Sequence, residues 1–193
     1  MRRRDFIAGL GGAAVWPIAA RAQQPATPVI GVMSSGLSSG GPEDDLRVAF
    51  RQGLNDSGFI EGRNVAVEYR SASGQYDRLP ALAAELVRRR VDVLVATGGA
   101  SAPAAKAATT TIPIVFVLGF DPVALGLVAS LSRPGGNLTG VTSLANELGP
   151  KRLELLHEAA PAATSIALLV NPAEPTAEAQ SKDLHAAARW ACG

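Results

Sequence analysis

The sequence predicts an α/β protein built on a doubly wound parallel sheet, and three observations indicate this fold. Short apolar runs typical of strands recur along the chain, the first at 28–33 and the fifth at 138–142. Segments that suit helices lie between most of these runs, and several repeat their apolar residues at helical period. Because crossover connections of that length return the chain to the same edge, the strands should pair in parallel.

The first strand and helix are predicted at 28–33 and at about 43–57. The helix begins with three acidic residues, which suit the positive end of its dipole, and Gly58 stands where a residue with positive φ commonly ends a helix. Val65, Val67 and Tyr69 recur at every second position, which predicts the second strand.

The middle of the chain repeats this pattern. A helix is predicted over about 77–90, with Asp77 as its N-cap and a stripe of leucines on one face. The run 91–97 is almost continuously apolar, as in a strand covered on both faces. A helix over about 101–110 and a strand over 113–118 follow.

After the strand at 113–118, the sequence predicts a helix at 123–131 and the fifth strand at 138–142. Beyond it come a helix at 151–158, a strand at 165–170 and a helix at 174–190. A single strand cannot make a sheet. This piece therefore either joins the first sheet or opens a second lobe. We expect residues 23–143 to form an N-terminal ligand-binding lobe and 144–193 to begin a C-terminal lobe that is truncated.

Residues 1–22 have the three parts of a secretory signal peptide: a basic head, an uncharged apolar middle and a small-x-small end at Ala20-Arg-Ala22. Arg3 and Arg4 precede Phe6 and Ile7 as in a twin-arginine signal. The apolar stretch of 15 residues is short for a membrane span of about 20 residues. We expect export to the periplasm, with the leader either cleaved or kept as an anchor.

Composition excludes several classes of protein. The chain is 47% hydrophobic and 18% charged, which suits a folded core. After residue 22 there are 14 basic and 16 acidic side chains, so a nucleic-acid partner is not expected. Cys192 is the only cysteine and has no partner for an internal disulfide.

The predicted carboxyl ends of the strands share small polar residues. In open parallel sheets ligands bind outside these ends, where helix N-termini present free N–H groups. Hydroxyls and bare amides there suit a carboxylate, whereas a carboxylate side chain suits a cationic or hydroxylated group. These positions are Ser34, Ser35, Ser71 to Ser73, Thr97, Gly98, Asp121, Thr142 and Asn171.

Catalytic patterns do not appear in the sequence. His157 and His185 lie within predicted helices, far from any strand end, and are expected to be ordinary helix residues. The chain has no nucleophile elbow, no paired metal-ligand spacing and no dinucleotide fingerprint. We therefore expect no enzyme activity, no metal and no cofactor.

Several motifs of the sequence are specific enough to indicate a family. The motifs are Phe50-Arg-Gln-Gly-Leu54, Gly58-Phe-Ile-Glu-Gly-Arg-Asn-Val65, Gln75-Tyr-Asp-Arg-Leu-Pro80, Thr109-Thr-Thr-Ile-Pro-Ile-Val115, Asp121-Pro-Val123 and Arg133-Pro-Gly-Gly-Asn-Leu-Thr-Gly-Val141. Together they resemble the ABC transporter substrate-binding proteins. The likeness is to the branch related to tryptophan and aromatic amino-acid-binding proteins, with the periplasmic-binding-protein type I fold, and it covers nearly all of residues 1–190.

The resemblance implies an exported monomer that captures a small molecule, such as an amino acid, between two lobes and delivers it to a membrane permease. Members of the family continue past the helix at 174–190, so it also implies an incomplete copy with impaired binding. A periplasmic enzyme or a ligand-sensing domain on the same scaffold remains an alternative. The residues that the resemblance places on the cleft side are Ser34, Ser35, Thr97, Gly98, Ser101, Asp121, Thr142 and Asn171.

Overall fold

The computed structural model of the chain describes residues 27–36, 42–174 and 176–191. The predicted leader at 1–22 and Cys192 lie outside these residues. Five strands are described: β1 (Val29–Ser34), β2 (Ala66–Ser71), β3 (Val93–Thr97), β4 (Ile114–Leu118) and β5 (Leu138–Thr142). The α-helices of the described part are α1 (Pro42–Asp56), α2 (Leu79–Arg88), α3 (Ser101–Ala108), α4 (Gly149–Ala159) and α5 (Ala177–Ala191).

The five strands form one parallel sheet in the order β2-β1-β3-β4-β5. The chain moves from β1 to β2 on one side and then crosses to β3 on the other, so the winding direction reverses between β1 and β3. In register, Ser34 of β1 stands beside Thr97 of β3 at this reversal. The predicted doubly wound parallel sheet is confirmed. The reversal also defines the point at which such sheets bind ligands.

The core lies on the sheet face that α2 and α3 cover. Met33, Leu94 and Ile114 on the sheet are fully buried there, together with Leu86 of α2. The three middle residues of β3 are all buried, as predicted for a strand covered on both faces. Burying one such side chain contributes about 1.5–3 kcal/mol, so this layer stabilises the sheet.

The end of α1 confirms the prediction for Gly58. Gly58 has φ +83° and donates its N–H to the carbonyl of Asn55, while Phe59 donates to Leu54. These two bonds form a Schellman motif, in which a residue with positive φ lets the chain satisfy the last free carbonyls.

Two predictions about helices were wrong. Residues 123–131 form turns, because Gly126 has φ +64° and interrupts a helical path. Leu127 and Val128 are nevertheless buried in the core. Asp77 is not the N-cap of α2: it lies inside the 3₁₀ turn Tyr76–Arg78, and α2 begins only at Leu79.

The last segment does not join the sheet. Residues 165–170, predicted as a strand, pair with no described strand, and Leu169 is 98% exposed. A strand needs neighbours to satisfy its backbone, and none lies beside this one. Helices α4 and α5 pack together, with Gly149 against the Leu184 side chain. Within the described residues this segment therefore adds no strand to the five-stranded sheet.

Candidate functional site

The candidate site begins at the reversal between β1 and β3. Ser35 donates its N–H to the carbonyl of Thr97 (3.3 Å), which ties the two strand ends together. Gly98 has φ +90°, and a Cβ there would overlap the Ser35 hydroxyl. Glycine is thus required at position 98 both for its backbone conformation and for space. Ser34, Ser35, Thr97 and Gly98 therefore form one contiguous polar edge.

Ser101 lies directly behind this edge, as the first residue of α3. Its N–H donates to the carbonyl of Gly98 (3.3 Å), so the loop turns sharply into the helix. The side chain is fully buried, and its hydroxyl has no hydrogen-bond partner in the described structure. Buried hydroxyls are normally paired, so Ser101 keeps unused hydrogen-bonding capacity beneath the edge.

Asp121 and Thr142 hold the neighbouring loops in place. The Asp121 carboxylate accepts the N–H of Val123 (2.8 Å), as an Asx turn does. The Thr142 hydroxyl donates to the carbonyl of Phe120 (2.7 Å) and accepts the N–H of Leu144 (3.2 Å). Both residues lie at the predicted edge of the sheet, and these bonds fix the backbone of the loops after β4 and β5.

Glu174, which was not among the predicted site residues, connects the segment after residue 144 to the polar edge at Gly98. One carboxylate oxygen of Glu174 accepts the Tyr76 hydroxyl (2.8 Å), and the Asn171 amide also donates to that hydroxyl (3.4 Å). The other oxygen is shielded from solvent, makes no hydrogen bond in the described structure, and lies against Gly99 and the Phe120 ring. Burial first, and then the Glu174 carboxylate, raise the pKa of Tyr76 above 10.0, which keeps its phenol protonated.

Two features of the sequence could have indicated Glu174. It is the only carboxylate between Glu158 and Glu178, and it follows the Asn171-Pro172 turn. We predicted it as the start of the last helix, but α5 begins three residues later, at Ala177. Tyr76 contributes its hydroxyl as a hydrogen-bond donor to Glu174.

Six of the eight predicted residues lie along one edge of the sheet, which we call the rim. Ser34, Ser35, Thr97 and Gly98 form its centre. Asp121 and Thr142 lie on either side of Phe120 in the neighbouring loops, and Phe120 contacts Gly99. Asn171 does not follow a strand, because residues 165–170 do not form one, and it reaches the rim through Tyr76 and Glu174. Ser101 is buried behind the rim, and Ser34 and Ser35 are also largely buried.

A cavity of about 190 Å³ lies next to the rim, between α1 and the sheet face opposite the core. Arg47 stacks over the Tyr69 ring within it, with its guanidinium carbon 4.3 Å from the ring centre. The rim hydroxyls of Ser34 and Thr97 line the cavity together with apolar side chains. The apolar residues are Val32, Leu46, Phe50, Val95 and Val117.

The described residues contain no group of three or more His, Cys, Asp or Glu side chains that could hold a metal ion. Within the same part of the chain, no helix is long and apolar enough to cross a membrane. The chemistry of the rim is therefore that of hydroxyls, backbone amides and single carboxylates. Such groups bind small polar molecules by hydrogen bonds and charge.

A polar rim at the reversal point of a parallel sheet is typical of lobes that bind small molecules, the class that includes periplasmic binding proteins. Comparison with known proteins gives the family. A family model for ABC transporter substrate-binding proteins matches residues 37–191. The chain belongs to this family, so the resemblance seen in the sequence is confirmed. The family is one of binding proteins and not of enzymes, as the sequence predicted.

Three relatives illustrate the likeness. The tyrosine-binding protein of Clostridioides difficile (strain R20291) is 32% identical over 142 residues, which are 74% of this chain and 41% of that protein. A conserved domain protein from Vibrio cholerae O1 biovar eltor has a solved structure with TM-score 0.77 and 32% identity, covering 86% of this chain and 55% of the other. The ABC domain in complex with L-Trp from Streptococcus pneumonia gives TM-score 0.74 at 24% identity, with the same coverage. The chain thus spans about half the length of these relatives.

Proposed function

We propose that this chain is the solute-binding component of an ABC import system and that its ligand is an amino acid, with aromatic amino acids favoured. The observation that supports this most is the match to a protein named for tyrosine binding, which extends over 74% of this chain at 32% identity. The polar rim is the proposed binding site. Its hydroxyls and backbone amides suit the carboxylate of an amino acid, and its carboxylates suit the ammonium group.

The ligand carboxylate is proposed to lie at the centre of the rim. The Ser35 hydroxyl lies against the tight turn at Gly98, Ser34 and Thr97 are register partners just before it, and the turn leads into the N-terminus of α3. Hydrogen bonds to an ionised carboxylate are about twice as strong as neutral ones, and a helix N-terminus adds a favourable dipole. Ser101, Asp121, Thr142 and Asn171 complete the proposed ligand-binding set.

We propose that residues 23–143 form the first lobe and that 144–193 begin the second. Capture by closure needs contacts from both lobes, so this chain alone is proposed to bind weakly, as a monomer. The second piece leaves many apolar side chains exposed, which fits an element that packs against further chain. They are Leu148, Leu155, Leu156, Ile166, Leu168 and Leu169.

Export to the periplasm is proposed from the leader at 1–22, with Arg3 and Arg4 as the routing signal. Delivery to a membrane permease follows from the family and is part of the same proposal. The rim would release the ligand there when the lobes open.

The test is a ligand-observed saturation-transfer NMR titration of the 193-residue chain, because this method detects weak binding. We expect saturable binding of L-tyrosine or L-tryptophan and none of glucose. Thr97→Val removes a rim hydroxyl and should raise the Kd about tenfold, the value of one hydrogen bond to a charged group. Thr139→Val is the matched control, since Thr139 is exposed within β5 and away from the rim. Absence of saturable binding for every amino acid tried would contradict the proposed function.

A further inference from the structure

Glu174 is held in a fixed position by its own turn. Its N–H donates to the carbonyl of Asn171 (3.1 Å), and the Asn171 side chain accepts the N–H of Ala173 (3.1 Å). The Tyr76 hydroxyl binds one carboxylate oxygen from the opposite side (2.8 Å). The side chain is therefore oriented by contacts from two parts of the chain that are 98 residues apart.

The second carboxylate oxygen lacks a partner. It is shielded from solvent and has no hydrogen bond in the described structure, and no Lys or Arg of the described residues forms an ion pair with Glu174. Leaving a buried charged acceptor unpaired is costly, so such groups normally have a cation or donor beside them. The described residues supply neither at this oxygen.

This oxygen lies on the rim. It contacts Gly99, the residue after the tight turn at Gly98, and it lies near the ring of Phe120. The proposed site for the ligand carboxylate at Gly98 and the unpaired Glu174 oxygen beside Gly99 are therefore adjacent. The site at Gly98 suits a negative group and the Glu174 oxygen suits a positive group, which is the charge pattern of an amino acid.

We propose that Glu174 receives the ammonium group of the ligand and so selects primary amines over the corresponding acids. This inference rests on the proposed function, because it assigns one contact within that site. Tyr76 acts as a positioning residue, which occupies one carboxylate oxygen and keeps the other beside Gly99 at the rim. The aromatic ring of Phe120 forms an apolar wall beside it.

The experiment uses three probes in the same NMR titration: L-tyrosine, its analogue without the amine (3-(4-hydroxyphenyl)propanoate), and tyramine, which lacks the carboxylate. The unaltered chain should bind L-tyrosine at least about tenfold more tightly than the analogue without the amine. Glu174→Gln should weaken L-tyrosine and tyramine by about 10-fold to 100-fold and leave the analogue within about twofold. Glu178→Gln is the matched control, since Glu178 is exposed one turn further along.

Several results would overturn the inference alone. Equal weakening of all three probes in Glu174→Gln would show a merely structural role. Tighter binding of the analogue without the amine in that variant would show that Glu174 occupies the place of the ligand carboxylate. If Glu174→Gln does not fold, the comparison of L-tyrosine with its analogue in the unaltered chain decides, and equal affinities would refute the inference. If the unaltered chain binds none of the probes, the proposed function itself fails, and this is seen before any variant is made.

Discussion

Gly99→Ala tests the contact between the last segment and the rim. A Cβ at position 99 would stand 2.6 Å from a ring carbon of Phe120 and would overlap the carboxylate of Glu174. Overpacking of this kind costs about 1–3 kcal/mol. Gly99 does not have positive φ, so alanine is free of backbone strain there and recovers about 0.4–1 kcal/mol through the unfolded state. These terms differ by about 0–2.6 kcal/mol, and because the new Cβ would meet both Phe120 and Glu174 we expect a net loss near the middle of that range, about 1–2 kcal/mol.

The assay is thermal unfolding followed by circular dichroism. For a chain of this size, a loss of about 1–2 kcal/mol lowers the melting temperature by about 2–8 °C. Gly53→Ala is the control: Gly53 is exposed within α1 and nothing lies near its missing side chain, so this variant should melt about 1–4 °C higher. If Gly99→Ala were as stable as the unaltered chain, Glu174 and Phe120 would not lie against Gly99, and the geometry of the proposed ammonium site would be wrong.

Two further predictions concern pH and export. The pKa of Tyr76 is raised above 10.0 in the folded chain. The protonated phenol therefore contributes its full share to the stability of the fold below pH 10, and this contribution is lost as pH rises through the folded pKa. Tyr76→Phe should therefore reduce the fall in melting temperature as pH rises above about 10, with the raised pKa of Tyr69 common to both proteins; parallel curves would contradict this. Replacing Arg3 and Arg4 by Lys should retain the protein in the cytoplasm, measured by fractionation, whereas Arg21→Lys should be exported normally.

Most of the sheet could be predicted because its signals are local. The five apolar runs, the helical stripe of α2 and the positive φ of Gly58 all depend on residues close in sequence. The turns at 123–131 could not be predicted in this way. Their residues suit a helix, but Gly126 takes a left-handed conformation and Leu127 packs into the core. The helix propensity of these residues is worth less than the burial of Leu127, so tertiary packing overrides it.

The sequence alone determined where the polar strand ends lie, because parallel pairing brings every carboxyl end to one edge. The contacts that those residues make depend on the tertiary fold. It placed Ser101 behind the rim, engaged Asp121 and Thr142 in loop hydrogen bonds, and brought Glu174 to Tyr76 across 98 residues of chain. No local pattern encodes that contact. The contact between Glu174 and Tyr76 depends on where the turn at Asn171, which follows the unpaired segment 165–170, meets the sheet. The packing of the whole chain determines that position.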